Sequence, residues 1–357
     1  MNPLVASFLP HSLPTKLLRF FYLRTHKERF KDAVAHFLIE KGVSDNKVLR
    51  NYKNRLVRAF VKDNWYPDEF FFFNYEYLSR KGIHDFVPNR EANLFWNYLN
   101  SREIYLLTCD KGRTYDFFRD YYHREVLAVY DSSVEVCNNF REFIDRHCRF
   151  IVKPNFGNYG NGVKILDSHS IPDADLLLKN LLSEYRGGFI AEELIVQSAG
   201  LSEFHPSSVN TVRLTTAKLS NGEIYIIHRP FLRIGQGGRC VDNGGNGGII
   251  CAIDYNTGII KGAIDERMNR YVIHPDTGKT LLGYQIPSWE EAKELVIELA
   301  SVLPDLNYCG WDLALTNEGW VMVEANGKGL FIGFQMPTQE GFREEFEELK
   351  KSCGYNK

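Results

Sequence analysis

Apolar positions change their rhythm along this chain. Over residues 1 to about 105 they recur at helical spacing, which predicts helices at roughly 15–24, 27–41, 45–62, 68–80 and 90–100. Breaks fall at Gly42, Pro67, Gly82 and Pro88. The run Glu69-Phe70-Phe71-Phe72-Phe73-Asn74-Tyr75-Glu76-Tyr77 would be aromatic on nearly every side of a helix, so it demands burial against its neighbours. Beyond residue 105, short apolar strands alternate with helical stretches, the texture of an α+β or α/β unit. Cys109-Asp110-Lys111 opens a helix through Tyr122, a strand follows over Glu125–Tyr130, and a helix over Val134–Arg146.

Arg149 to Leu166 carries the first chemical signal. The strand Phe150-Ile151-Val152 runs into Lys153-Pro154, then a loop holding Gly157, Gly160 and Gly162, then a second strand from Val163. Glycines let backbone N–H groups approach an anion closely, and Lys153 adds a point charge to the same place. The segment is not a P-loop, which needs G-K-[ST] opening a helix, nor a dinucleotide fingerprint, because it returns into a strand. A plain glycine turn remains the alternative. After a helix over Ile171–Tyr185, the strand from Gly187 ends in Glu192-Glu193 and continues as Leu194-Ile195. Such an extended stretch can offer alternate C=O and N–H groups to the edge of a planar base. Thr211, Arg213 and Thr215 then share one polar strand face, and the turn Ser220-Asn221-Gly222-Glu223 leads to Ile224–Ile234, where Arg229 and Arg233 share another. The glycine-dense Gly235–Gly248 reads as a loop that closes over a site, with Arg239, Asp242 and Asn243 as its polar groups. Strands over Ile249–Asp254 and Ile259–Asp265 and a helix over Ser288–Val302, capped by Ser288, complete the approach to the last hairpin.

That hairpin, Cys309 to Phe331, places acids where an apolar strand should have none. Its strands join across Thr316-Asn317-Glu318-Gly319. Period-2 alternation puts Trp320, Met322, Glu324 and Asn326 on one face and Val321, Val323 and Ala325 on the other. Both faces are mostly apolar, so Glu324 is expected in a low-dielectric setting that calls for a cation. Asp312 supplies a second carboxylate and Asn326 an amide oxygen. Three hard oxygens suit Mg²⁺, and a salt-bridged hairpin is the competing account.

Composition narrows the class without deciding it. With 357 residues, 44% hydrophobic and 25% charged, the chain has core material for two or three units. A net charge of -2 argues against an electrostatically driven nucleic-acid binder. Seven scattered cysteines, none in a C-x-x-C pair, point to reduced thiols and the cytoplasm. No stretch has the length of a membrane span or the order of a signal peptide. The basic amphipathic Leu13–Arg24 leaves room for peripheral membrane contact, although packing on its own domain is the simpler reading. No Ser-His-Asp arrangement appears, and the ten histidines share no spacing.

In order, Lys111, Lys153 with its glycine loop, Glu192-Glu193-Leu194-Ile195, basic strands, a glycine-dense loop, and Asp312 with Glu324 and Asn326 resemble the ATP-grasp superfamily over roughly residues 105 to 335. Lys153-Pro154, Ser208-Val209-Asn210-Thr211-Val212-Arg213, Val241-Asp242-Asn243 with Gly247-Gly248, and Gly310-Trp311-Asp312 are most similar to its sugar-transfer-associated branch, associated with surface polysaccharides and cell-envelope polymers. The resemblance implies an α+β fold in which two α+β lobes, about 106–195 and 196–335, clasp ATP. A mainly helical region, 1–105, precedes them and a helix and tail, 336–357, follow. It further implies that Lys111, Lys153, Gly157, Tyr159, Gly160 and Gly162 meet the phosphates, and that Glu192 to Ile195 meet adenine. Gln197 stands where an acid for the ribose is expected. Asp312, Glu324 and Asn326 match the Mg²⁺ positions, two ions being expected, and Arg213 and Arg233 match positions that stabilise the transferred phosphoryl group. Asn210, Arg239, Asp242 and Asn243 are expected at the substrate. The implied reaction is an ADP-forming ligation of a small-molecule or glycan-precursor carboxylate with an amine, through an acyl phosphate. A kinase on the same fold and a non-catalytic ATP-binding module are the alternatives.

Overall fold

A computed structural model describes residues 46–157, 160–238, 247–329 and 331–355. The expected helices over 15–24 and 27–41, and the amphipathic Leu13–Arg24, lie outside the described residues. The chain divides into two compact units, one of residues up to 95 with 330–351, the other of 96–329 with the last residues. Among the described residues no helix is long and apolar enough to cross a membrane.

The first unit is helical, with helices Asn46–Asp63, Pro67–Phe72, Arg80–Asp85 and the start of Asn89–Leu99, joined by Ile332–Gln335 and Arg343–Ser352. The helix expected over 68–80 stops early. Asn74 takes a left-handed conformation (φ 50°), and only a 3-10 turn, Tyr75–Tyr77, follows. The break lets the aromatic run fold back on itself. Phe73 stacks on Phe86 at 4.7 Å, Phe70 stacks on Tyr75 at 4.9 Å, and Tyr77 is left exposed. Glu69, fully buried, accepts from the backbone N–H of Asn89 and of Tyr66, so its charge is met by donors.

The second unit holds two antiparallel sheets. The smaller contains β1 (Val126–Val129), β2 (Arg149–Pro154), β3 (Lys164–Asp167) and β4 (Phe189–Glu193) in the order β1-β4-β2-β3. Helices Val134–Arg146 and Ala174–Glu184 cover it through Phe140, Phe143, Leu178 and Leu181. The larger contains β5 (Thr211–Lys218), β6 (Ile224–Ile226), β7 (Phe231–Ile234), β8 (Ile249–Ile253), β9 (Ile260–Asp265), β10 (Tyr308–Thr316) and β11 (Gly319–Asn326). Its order is β11-β10-β5-β7-β8-β9, with β6 on β5. Helix Trp289–Val302 packs Trp289, Ala292, Val296 and Leu299 into the core of this sheet. Ser288 precedes that helix at φ 48° and makes no side-chain capping bond. Its backbone is turned instead so that its carbonyl receives the Trp320 indole N–H at 2.8 Å.

One glycine shows how the small sheet is held. At Gly188 (φ 80°) an added Cβ would lie 2.3 Å from the Val129 carbonyl, so only glycine lets the chain enter β4 there. Its carbonyl accepts from Asn155 N–H, and the Asn155 carbonyl accepts from Lys111 N–H, tying the glycine loop to the helix Lys111–Phe118.

Candidate active site

The strand register aligns the charges of the larger sheet. Arg213 on β5 lies opposite Asp312 on β10, and Asp312 lies opposite Glu324 on β11. Asn326 pairs with Gly310 two residues further along, and Thr211 on β5 pairs with Arg233 on β7. The even alternation expected of β11 is interrupted. The pairing passes from Asp312↔Glu324 to Leu313↔Met322, so Val323 is an extra, bulged residue. Trp320 and Met322 therefore join Ala325, Trp311, Leu313 and Leu315 in the core, and the face opposite keeps Glu324 and Asn326. The bulge corrects the sequence expectation: without it, the acids would share a face with two large core side chains.

Asp312 is 1% exposed and fully engaged. Its Oδ1 accepts from Arg213 Nε at 2.5 Å, and its Oδ2 accepts from Arg213 Nη2 at 2.8 Å and from Asn326 Nδ2 at 3.2 Å. Arg233 Nη2 lies 2.7 Å from the same Oδ2, and Arg233 also donates through Nε and Nη2 to Thr211 Oγ1 at 3.1 and 2.8 Å. Burial pushes the Asp312 carboxyl up, yet the charges of Arg213 and Arg233 outweigh it and hold the group below the ordinary carboxylate range. Glu324 differs from the sequence expectation. Its side chain keeps 32% exposure and has one ion-pair partner, Lys111 Nζ at 3.1 Å. Lys111 opens its helix, with Asp110 as cap accepting from Arg113 N–H, and its ammonium also donates to the Gly157 carbonyl at 2.9 Å.

On the smaller sheet Glu192 is the buried acid. Lys153 Nζ lies 3.0 Å from Oε1, off the direction of a hydrogen bond, while Arg124 donates through Nε and Nη2 to Oε2 at 3.0 and 2.9 Å. Burial raises the Glu192 carboxyl, and the charges of Lys153 and Arg124 bring it below its ordinary value. Arg124 Nη1 reaches further, to the carbonyls of Tyr122 at 3.0 Å and of Met322 on β11 at 2.8 Å. Sequence reasoning missed Arg124. A cation beside Glu125 at the mouth of a strand looks like surface charge, and only the fold shows it 4% exposed between the sheets.

The structure thus brings together Lys111 with Glu324 and Gly157, Lys153 with Glu192, and Arg213 and Arg233 with Asp312 and Asn326. Gly160 and Gly162 take φ of 70° and 77°, and the Gly162 carbonyl accepts from the Tyr185 hydroxyl at 2.6 Å. The Glu193 carboxylate turns to the Glu125 backbone N–H, and Leu194 and Ile195 follow half-buried. Gln197 and Asn210 instead bond each other. Gln197 Nε2 donates to the Asn210 carbonyl at 2.6 Å, and its Oε1 accepts from Asn210 N–H at 3.1 Å. Asn210 is fully buried, with its amide donating to Leu201 and accepting from Gly235 N–H, so it anchors the start of the glycine-dense segment from inside. Tyr159, Arg239, Asp242 and Asn243 lie outside the described residues, and with them the middle of the expected closing loop.

As donors, Asp312, Glu324 and Asn326 offer two carboxylates and one amide oxygen on one face, a hard-oxygen set that fits Mg²⁺ rather than a soft metal. Among the described residues no group of three His, Cys, Asp or Glu side chains could hold a metal ion, so the set here is two carboxylates with the Asn326 amide.

No curated protein matches the chain at a significant level. Among solved structures, the ATP-grasp ligase PsnB complexed with minimal precursor, Mg and ADP is similar at 14% identity and a TM-score of 0.42, over 74% of this chain and 67% of that one. The D-alanine-D-alanine ligase from Helicobacter pylori is similar at 14% identity and 0.45, over 74% and 68%. The model of the sugar-transfer associated ATP-grasp family matches residues 90–351. Matched over most of its length, the chain belongs to that family and has the α+β ATP-grasp fold.

Proposed function

We propose that this chain is an ATP-dependent ligase that activates a carboxylate as an acyl phosphate and passes it to an amine, releasing ADP. One observation carries the reading: Asp312 and Glu324 face each other across adjacent strands with Asn326 beside them, and Lys111, Arg213 and Arg233 contact the two acids. Residues of both signs meeting there suit a polyphosphate with its counter-cation. Asp312, Glu324 and Asn326 would hold Mg²⁺, which when bound neutralises phosphate charge. Lys111 and Lys153 would take phosphate oxygens, having the Gly157 carbonyl and Glu192 as present partners. Arg213 and Arg233 would bear on the charge that develops as the γ-phosphoryl group moves to the substrate carboxylate. The attacking group is the substrate's own carboxylate oxygen, so no protein nucleophile is required. The family's association with sugar transfer supports a glycan precursor as the molecule modified, and the reaction would take place in the cytoplasm, where ATP is at hand.

The test is hydroxylamine trapping. Purified protein with ATP, Mg²⁺ and a panel of amino acids and sugar acids should release ADP and yield a hydroxamate with one of them. Glu324→Gln, which keeps the side-chain shape but removes a ligand charge, should lower this by about a hundredfold or more while folding normally. A stable phosphorylated product without hydroxamate would make the chain a kinase. ADP binding without turnover on any acid would leave a binding module.

A further inference from the structure

The contacts around Asp312 have a consequence for how the site fills, and it rests on the ATP-dependent reading above. We infer that Arg213 and Arg233 lock the metal site, so that Asp312 accepts a divalent cation only after a nucleoside polyphosphate has drawn these arginines off its oxygens.

Three observations support the lock. Both Asp312 oxygens are occupied: Oδ1 by Arg213 Nε, and Oδ2 by Arg213 Nη2, Arg233 Nη2 and Asn326 Nδ2. The carboxylate is 1% exposed, so a hydrated ion cannot reach it without displacing a guanidinium. The pairing is also built into the sheet, because register sets Arg213 directly opposite Asp312, and Thr211 Oγ1 aims Arg233 from its own cross-strand position. The exchange of partners favours the nucleotide. A polyphosphate offers the guanidiniums acceptors of equal strength, whereas a lone divalent cation would have to displace them from Asp312 unaided. Metal-free nucleotide should therefore bind first, and metal second.

The test uses Mn²⁺ as the metal, read by its free-ion electron paramagnetic resonance signal, and ADP as the nucleotide, read by calorimetry. Wild-type protein alone should leave the Mn²⁺ signal unchanged, while ADP binds in the presence of EDTA. Arg233→Gln should bind Mn²⁺ without nucleotide about tenfold or more tighter than wild type, the scale of one lost charge-assisted contact. Adding Asp312→Asn to that variant should abolish the gain. Thr211→Val, which removes the hydroxyl that aims Arg233 and leaves every charge in place, should give a smaller gain in the same direction. Wild-type protein that binds one Mn²⁺ unaided and loses it with Asp312→Asn would overturn the lock. So would Arg233→Gln and Thr211→Val variants, both folded by circular dichroism, with wild-type Mn²⁺ affinity. ADP that binds only after Mg²⁺ overturns the order and leaves the ligase reading intact, whereas ADP that binds under neither condition overturns both.

Discussion

The two sheets of the second unit each bury one carboxylate between two cations, and they use the arrangement differently. On the smaller sheet Glu192 lies between Lys153 and Arg124, and Arg124 also grips the Met322 carbonyl of the larger sheet. On the larger sheet Asp312 lies between Arg213 and Arg233, and its partners all come from strands of that sheet. The first cluster is a joint, since one guanidinium spans two sheets. The second is a ladder, since strand register alone assembles it. A buried carboxylate with two cations is thus no single signature of function: what the cations touch beyond the acid separates a cluster that couples two sheets from one assembled within a single sheet.

Acid should give the largest effect, because it discharges both clusters together. Glu192 and Asp312 are each held below their ordinary values in the folded chain. A depressed folded value means stability that is fully present above the unfolded value, about 4 for these groups, and lost as pH falls through the folded one. Urea midpoints should therefore be steady on this account from neutral pH down to about 5 and fall steeply below about 4. Glu192→Gln and Asp312→Asn should each flatten that fall. A profile identical to wild type in both variants would show that neither cluster governs acid stability.

Arg124 tests the joint itself. Arg124→Met removes two bonds to Glu192 and two to backbone carbonyls, leaving a buried acid with Lys153 as its remaining cation. The expected loss is about 3–5 kcal/mol, the range for removing one partner of a buried ion pair, with a rise in the KM for ATP as Lys153 is drawn further onto Glu192. Arg124→Lys should recover part of the stability and little of the KM, since one ammonium cannot serve both sheets at once. Equal KM in wild type and both variants would reduce Arg124 to a packing residue.

Much of this was legible in the sequence, and the omissions have physical reasons. The hairpin turn, the glycine loop after Lys153 and the acids of the last two strands are local patterns, and a local pattern survives folding. The bulge at Val323 was not legible, because an extra residue in one strand is defined by its partner strand. The break at Asn74 was hidden by an aromatic run that suits a helix and a folded-back turn equally well. The places of Gln197 at the ribose and Asn210 at the substrate came from the family resemblance alone, with no local pattern behind them. In the fold these two residues satisfy each other's backbone and amide groups. Arg124 and its carbonyl on β11 are almost two hundred residues apart in the chain, and no spacing rule reaches across that distance.

Lys111 offers the finest distinction between the joint and the ladder, because it belongs fully to neither. It joins the glycine loop of the smaller sheet, through the Gly157 carbonyl, to Glu324 of the larger one, so by connectivity it resembles Arg124. By environment it does not: Glu324 is about one third exposed, and solvent screens the pair. Partly exposed ion pairs contribute about 0–1 kcal/mol, so Lys111→Met should shift the unfolding midpoint very little. Its effect should appear in ADP affinity, which should weaken by about tenfold for one lost charge-assisted phosphate contact. If Lys111→Met costs as much stability as Arg124→Met and leaves ADP affinity unchanged, Lys111 is a second pin of the joint, and its place among the phosphate-binding residues is lost.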